Sequence, residues 1–345
     1  MNHELYMRRC LELALKGLGS VSPNPLVGCV IVHNGNIIGE GYHRVYGQAH
    51  AEVNAVASVK DTSLLSKSTV YVNLEPCNYT GNTPPCADLL LRHQVKQVVV
   101  CNQDPNPKID GGGIDKLRES GVDVVTGVLE SEGEQLNRRF FTYHREKRPY
   151  VILKWAESLD GNLDIKRQNN EEGVHWITTP SAQIHTHRWR TEETAILVGA
   201  NTVNIDNPSL TARAVHGNQP LRCVLNVKSV LNPKATVLTD GLPTVIFNPH
   251  VSKEDGKVKW VQIDPQNILI DVLQFLYKEK VLSLIVEGGM KTLNGFLGDQ
   301  LWDEARILQG PHFFGQPGYK VTCPSGRLVK SYCVEENQIK IIQRV

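Results

Sequence analysis

The chain has 345 residues, 41% of them hydrophobic and 21% charged, with a net charge of +1. That length suits two domains of ordinary size, and the near-zero charge argues against the broad electrostatic attraction that draws proteins to nucleic acid or anionic membranes. No stretch approaches the ~20 apolar residues of a membrane span, and the opening MNHELYMRRCLELALKGLG has no long apolar run of the kind that marks an export signal.

Eight cysteines in a chain of this length are too sparse for a disulfide scaffold. A cytoplasmic location with reduced thiols is therefore expected, and a cysteine cluster favours metal or catalysis. Residues 4–18 carry the apolar spacing of a first helix. In residues 26–43, two β-type runs flank Asn34-Gly35, a strong hairpin signal. HAEVNAVASV is predicted to be a helix with His50 at its start, and STVYVNLEPC a strand ending in a turn. TPPCADLLLRHQ opens a helix, with prolines just ahead of Cys86 where a missing N–H costs little. VKQVVVCNQD and GVDVVTGVL are strands around the helix IDKLRESG. The order ββαβαβαβ, ending near Leu129, describes a layered α/β domain. GEQLNRRFFTYHREKRP is expected as one helix and a basic linker, placing a boundary near Arg148–Pro149. Beyond it YVILKWAES, TAILVGA, LRCVLNV, PTVIFN and LSLIVEGG are strand-like, while PSAQIHTHRWRTE and MKTLNGFLG are helical.

Three short pieces carry chemistry: His50-Ala51-Glu52, Pro76-Cys77 and Pro84-Pro85-Cys86. Zinc deaminases show H-x-E followed by P-C-x-x-C; here the eight residues NYTGNTPP stand between the two cysteines. One imidazole and two thiolates leave the fourth tetrahedral position of zinc open for water. The metal lowers the pKa of that water toward neutrality, which yields a hydroxide nucleophile. Glu52, beside the metal without binding it, is expected to carry the proton to a ring nitrogen and then to departing ammonia. A lone H-x-E is common by chance, and two cysteines so spaced are usually core residues. All three pieces in order, at strand ends and helix starts, point to zinc catalysis. A purely structural zinc normally has four protein ligands; no fourth is convincingly placed, and Glu52 would have no task. Cys10, Cys29, Cys101, Cys223, Cys323 and Cys333 have no such setting, and His185 and His187 lack a third ligand nearby.

SPNPLVGCVIV, YGQAHAEVNA, LEPCNYTGNTPPC and QDPNPKIDGGGI closely resemble the bifunctional riboflavin-biosynthesis deaminase/reductase family. The resemblance continues through SLDG, WIT, DNPSLTAR and VEGG, and so covers essentially the whole chain. It implies an α/β fold class with a three-layer cytidine-deaminase-like domain at 1–147 and a dihydrofolate-reductase-like domain at 149–345. The implied activities are zinc-dependent deamination of a 2,5-diamino-6-ribosylamino-pyrimidinone 5′-phosphate and NADPH-dependent reduction of its ribosyl chain to ribityl. It carries over His50, Cys77 and Cys86 as zinc ligands, Glu52 as proton shuttle, and Asn24, His43, Asp104 and Asn106 as deaminase substrate residues. In the second half it implies Ala156, Trp176, Thr202, Asp206 and the segment from Gly289 to Gly295 against NADPH, and Arg190, Leu210, Arg213 and Glu287 against substrate. Arg190 and Arg213 suit a ribose phosphate, since guanidinium forks bind its oxygens in pairs. Lys154 is either near the reacting sugar or a structural strand lysine. Val174-His175 stands where the family usually has a serine, and residues 162–174 are longer and more polar than usual. The expected partners are the small-molecule substrate and further copies of the chain, in a dimer or tetramer, with neither nucleic acid nor membrane. The competing reading keeps the deaminase and makes the second half a degenerate, non-reducing domain.

Overall fold

The computed structural model describes residues 2–79, 84–166 and 173–345. The chain divides into two units, Met1–Lys147 and Arg148–Val345.

In the first unit, α1 (His3–Leu15) leads into the hairpin β1 (Gly28–His33) and β2 (Asn36–Tyr42). Then follow α2 (Ala51–Ala57), β3 (Thr69–Leu74), α3 (Cys86–Arg92), β4 (Gln97–Asn102), α4 (Gly112–Glu119) and β5 (Asp123–Thr126). The five strands form one sheet in the order β2-β1-β3-β4-β5, with β3, β4 and β5 parallel. Strand side chains alternate between faces, and the sequence supplies apolar residues to both. Val70, Val72, Val98 and Val100 pack with Ala51, Ala55, Ala87, Leu90 and Leu117 on one face. Tyr71, Val99 and Cys101 pack with Met7, Cys10 and Leu13 of α1 on the other. Helix, sheet and helix thus make the three layers expected.

Two features place the helix that carries His50 and Glu52. A Cβ on Gly41 would collide with the α2 backbone at Ala51 and Ala55, so glycine there lets α2 settle directly on β2. Asn54, in the same helix, donates to the Tyr42 carbonyl at 2.9 Å. The single helix expected within residues 133–149 is instead broken into α5 (Glu130–Leu136) and α6 (Arg138–Glu146). Buried Asn137 lies at the break, accepting from Leu26 N at 2.8 Å and donating to Leu26 O at 2.9 Å.

The second unit runs β6 (Tyr150–Glu157), β7 (Asp164–Ile165), α7 (Pro180–Glu192), β8 (Ala195–Gly199), α8 (Ala200–Asp206), β9 (Leu221–Leu225), α9 (Thr236–Thr239) and β10 (Thr244–Asn248). It continues with β11 (Lys253–Asp255), β12 (Val258–Gln262), α10 (Ile268–Lys278), β13 (Ser283–Val286), α11 (Met290–Gly298), β14 (Glu304–Gln309), β15 (Gly318–Tyr319), β16 (Arg327–Val334) and β17 (Asn337–Gln343). A ten-stranded sheet has the order β11-β12-β10-β9-β8-β13-β6-β14-β17-β16. Its seven central strands, β12 to β14 in that order, are parallel. Val151, Leu153 and Trp155 of β6 face α10 and α11, while Tyr150 and Ile152 face α7 and α8. Both halves are α/β, as expected. Among the described residues no helix is long and apolar enough to cross a membrane.

Candidate active sites

In the first unit, three turns converge. His50 is the N-cap of α2, Cys86 is the first residue of α3, and Cys77 lies just beyond the end of β3. His50 Nδ1 is 3.6 Å from Cys77 Sγ and 3.3 Å from Cys86 Sγ. The three ligand atoms all lie within 4.8 Å of one another, the only such group among the described residues. Zinc bonds of 2.0–2.3 Å meeting at tetrahedral angles would set nitrogen and sulfur about 3.6 Å apart. The donor set and its spacing therefore fit zinc.

The charges are arranged to match. A hydrogen bond from Cys86, with help from His50 and the Cys86 amide, draws the Cys77 thiol down to about 4. With Cys77 charged, its hydrogen bond and burial push the Cys86 thiol up; a dication beside both sulfurs removes that like-charge penalty. The bond to Cys77 raises His50. Glu52, in the first turn of α2, is buried; burial and then the charge of Cys77 push its carboxyl up. A carboxyl so held exchanges protons nearer neutral pH than a free one does.

The expected substrate residues stand around this centre in two groups. His43 is 2% exposed and its ring meets His50 edge-on at 5.6 Å. Its Nδ1 faces the Ala49 carbonyl at 3.0 Å and its Nε2 faces Asn24 Nδ2 at 3.1 Å. A carbonyl accepts only, so Nδ1 carries the proton and Nε2 accepts from the Asn24 amide. Burial lowers the His43 pKa, which keeps this neutral form. Asp104 follows β4; burial pushes its carboxyl up to about 7 against the pull of the Asn106 amide, which donates to Oδ1 at 2.8 Å. Asn106 Oδ1 in turn accepts from Lys108 N. Part of the loop between the two cysteines, residues 80–83, lies outside the described residues.

In the second unit, β8, β13 and β6 are adjacent and parallel; β8 runs directly into α8, and β13 leads into α11 through residues 287–289. Crevices at the carboxyl ends of such strands are where open α/β sheets bind ligands. Gly289 is the N-cap of α11, and a Cβ on it would come within 3.1 Å of Thr202 Oγ1. Gly199 N donates to Gly288 O at 2.9 Å, joining the two strand-to-helix turns. Thr202 and Asp206 lie on α8, Ala156 near the end of β6, and Trp176 is 57% exposed. Gly295 is placed differently from Gly289: it sits inside α11, where a Cβ would meet Leu269 of α10 at 3.5 Å.

Glu287 directly follows β13 and forms a buried ion cluster. Arg190 donates to both its oxygens, Nε to Oε1 at 2.8 Å and Nη2 to Oε2 at 2.7 Å, and Nη1 to the Thr211 carbonyl at 2.9 Å. Lys154 Nζ lies 3.6 Å from Oε2. Burial works against the Glu287 charge, but Arg190 and Lys154 outweigh it and hold the carboxyl at about 2. For Lys154 burial wins, and its pKa is lowered. The two expected phosphate arginines thus differ: Arg190 is committed to Glu287 and Thr211, whereas Arg213 is exposed and held at Ser209 Oγ, 2.9 Å away. Leu210 has its side chain in the core at φ 56, so only its backbone can meet a ligand. The atypical segment is partly described: His175 Nδ1 pairs with Asp164 Oδ1 at 2.8 Å and Asn162 donates to Asp160 at 2.9 Å, while 167–172 lie outside the described residues. His185 meets Tyr332 Oη at 3.0 Å. Glu75, which the motif pattern did not single out, accepts four backbone amides beside the Cys77 turn; its position next to Pro76-Cys77 was the available signal.

The family of the cytidine and deoxycytidylate deaminase zinc-binding region matches residues 1–102, and that of the RibD C-terminal domain matches 149–343. The riboflavin biosynthesis protein RibD of Aquifex aeolicus (strain VF5) is 39% identical over 320 residues, 90% of this chain and 87% of the relative. That of Escherichia coli (strain K12) is 34% identical over 333 residues, 91% of this chain and 89% of the relative. A solved diaminohydroxyphosphoribosylaminopyrimidine deaminase/5-amino-6-(5-phosphoribosylamino)uracil reductase from Thermotoga maritima superposes with a TM-score of 0.89 at 35% identity, covering 99% of each chain. Acinetobacter baumannii RibD gives 0.90 at 32% identity over the same shares.

Proposed function

Because the chain belongs to the RibD family of riboflavin-biosynthesis proteins, we propose that residues 1–147 deaminate the diaminopyrimidinone ribose phosphate and residues 149–345 reduce the product. The enzyme is a zinc-dependent deaminase joined to an NADPH-dependent reductase. The observation that carries the deaminase assignment is the convergence of His50, Cys77 and Cys86 beside buried Glu52.

His50, Cys77 and Cys86 hold the metal. When bound, zinc supplies Lewis acidity that makes a water molecule acidic near neutral pH. Glu52 takes the proton from the attacking water and passes it to the ring nitrogen. As the carbon–nitrogen bond breaks, it takes the remaining proton from the added hydroxyl and delivers it to the leaving amine, so water enters, a carbonyl forms and ammonia departs. His43 fixes the Asn24 amide by accepting one of its N–H groups, and Asn24 thereby offers its carbonyl oxygen to a donor on the pyrimidine. Asp104 and Asn106 hold the substrate from the far side of the zinc turn.

In the second unit Thr202, Asp206, Ala156, Trp176 and the turn at Gly289 receive NADPH, and Gly295 supports that turn from within α11. The cofactor supplies the hydride that converts the ribosyl chain to ribityl. Lys154, Arg190 and Glu287 sum to one positive charge at the carboxyl end of β13, and exposed Arg213 adds a second, which suits an anionic ribose phosphate. Glu287 with Arg190 orients the sugar, Arg213 clamps the phosphate, and Leu210 contributes backbone. The degenerate-domain reading has no support in this arrangement, since the RibD C-terminal family spans the unit. A cytoplasmic homo-oligomer, dimer or tetramer, completes the proposal; sedimentation of the purified chain reads its assembly.

Chelation tests the division of labour. Removing zinc should abolish deamination, leave reduction of the already deaminated intermediate intact, and be reversed by added zinc. Deamination that persists without metal, or reduction that is lost with it, would overturn the proposal.

A further inference from the structure

Glu75 takes no part in the steps above, yet its carboxylate is fully engaged. It follows β3, two residues before Cys77, and is 4% exposed. Oε2 accepts from Asp104 N at 3.1 Å and Gly111 N at 3.0 Å; Oε1 accepts from Gly113 N at 2.8 Å and Ile114 N at 3.2 Å. These donors come from both ends of the loop 104–111 and from the first turn of α4. One side chain therefore ties the loop's entry and exit to the turn that carries Cys77.

The glycine run 111–113 makes the approach possible. A Cβ on Gly113 would collide with the Pro76 carbonyl oxygen, and one on Gly112 with the Asn78 amide. Only glycine lets α4 begin so close to the zinc turn. Asp104 and Asn106 hang on this anchor, because Asp104 N binds Glu75 and Asp104 Oδ1 accepts Asn106 N. A carboxylate is the side chain that accepts at both oxygens without donating.

We infer that Glu75 is a positioning residue for deamination: its carboxylate clamps both ends of the 104–111 loop to the Cys77 turn and so sets where Asp104 and Asn106 meet the pyrimidine ribose phosphate. This rests on reading those two residues as substrate contacts. Glutamine in its place keeps the shape but turns an NH2 group toward two amide donors, whichever way it flips, and leaves two buried N–H groups without an acceptor.

The test is deaminase kinetics of full-length Glu75→Gln loaded with zinc. The expected KM for the diaminopyrimidinone phosphate rises about ten- to a hundredfold, in line with two unsatisfied buried amides, while kcat changes by less than about threefold. Zinc stays at one per chain, and reduction of the pre-deaminated intermediate is unchanged. Amide exchange at Gly111 and Gly113 should quicken. Should Glu75→Gln fail to fold, Glu75→Asp gives the same readings, since it keeps the charge and draws the carboxylate back by ~1.5 Å. A folded, zinc-loaded variant with the wild-type KM overturns the inference, as does a variant that loses zinc and regains the wild-type KM once zinc is restored. A wild-type chain that does not deaminate overturns the functional reading with it, whereas wild-type deamination beside an unaltered variant KM overturns this inference alone.

Discussion

Replacing Glu287 by glutamine removes the one negative charge from a buried cluster that also holds Arg190 and Lys154. The Glu287 side chain is 6% exposed, and its carboxyl lies at about 2 rather than the ordinary 4.5. At about 1.4 kcal/mol for each tenfold in proton affinity, that fall corresponds to about 3 kcal/mol of stability. Breaking a buried ion pair from one side costs roughly 3–5 kcal/mol, which agrees. The folded pKa is depressed, so the contribution is complete above about pH 4.5 and is lost as pH falls through about 2. Lys154 can shed its proton when Glu287 is gone, which limits the damage; Arg190 cannot. All five tryptophans, Trp155, Trp176, Trp189, Trp260 and Trp302, lie in the second unit, so tryptophan fluorescence in urea follows that unit alone. The variant should be about 3 kcal/mol less stable at pH 7, and the gap from wild type should narrow between pH 4.5 and 2.5. A gap under about 1 kcal/mol at pH 7, or one that does not change with acid, would refute the reasoning.

Glu52→Gln should keep one zinc per chain and lose deamination by at least about 10²-fold, because the amide cannot shuttle a proton; near-normal turnover in a zinc-loaded variant contradicts the role. Cys86→Ala should lower zinc occupancy, measured by metal analysis, since it removes one of three protein ligands. Asp206→Ala should raise the NADPH dissociation constant about 5- to 150-fold, as for a charged hydrogen bond, with little change in melting temperature and none in deamination. Were Asp206 only a structural element of the α8 terminus, melting temperature would fall and NADPH affinity would hold. Arg213→Ala should raise the reductase KM for substrate more than it lowers kcat, because an exposed phosphate contact is lost.

Much of this was legible because the chemistry-bearing residues sit where local signals are strongest. His50, Cys77 and Cys86 fall at helix starts and a strand end, so the predicted elements alone bring them to one side of a sheet. The central strands are apolar on both faces and stand out as short runs such as VVVC in β4 and LIV in β13. Strand β16 was not legible in the same way: at the sheet edge its residues from Arg327 to Ser331 are exposed, and its pattern lacks the apolar run of a central strand. The break at Asn137 depends on a partner, Leu26, 111 positions away, which no local pattern encodes. The same holds for Glu75, whose four donors lie 29–39 residues downstream. An isolated arginine reads as a solvated surface residue, whereas the family resemblance offers Arg190 as a phosphate ligand. Its pairing with Glu287, 97 positions on, emerges only when α7 packs beside β13.

The central claim is that one chain performs two consecutive reactions, and a single coupled assay addresses it. Purified protein is given 2,5-diamino-6-ribosylamino-pyrimidinone 5′-phosphate with and without NADPH, and the products are identified. Without NADPH the account predicts accumulation of the deaminated uracil carrying an intact ribosyl chain. With NADPH it predicts the ribityl compound and one NADPH oxidised for each product formed. Deamination that proceeds while the intermediate stays unreduced and NADPH is not consumed would contradict it.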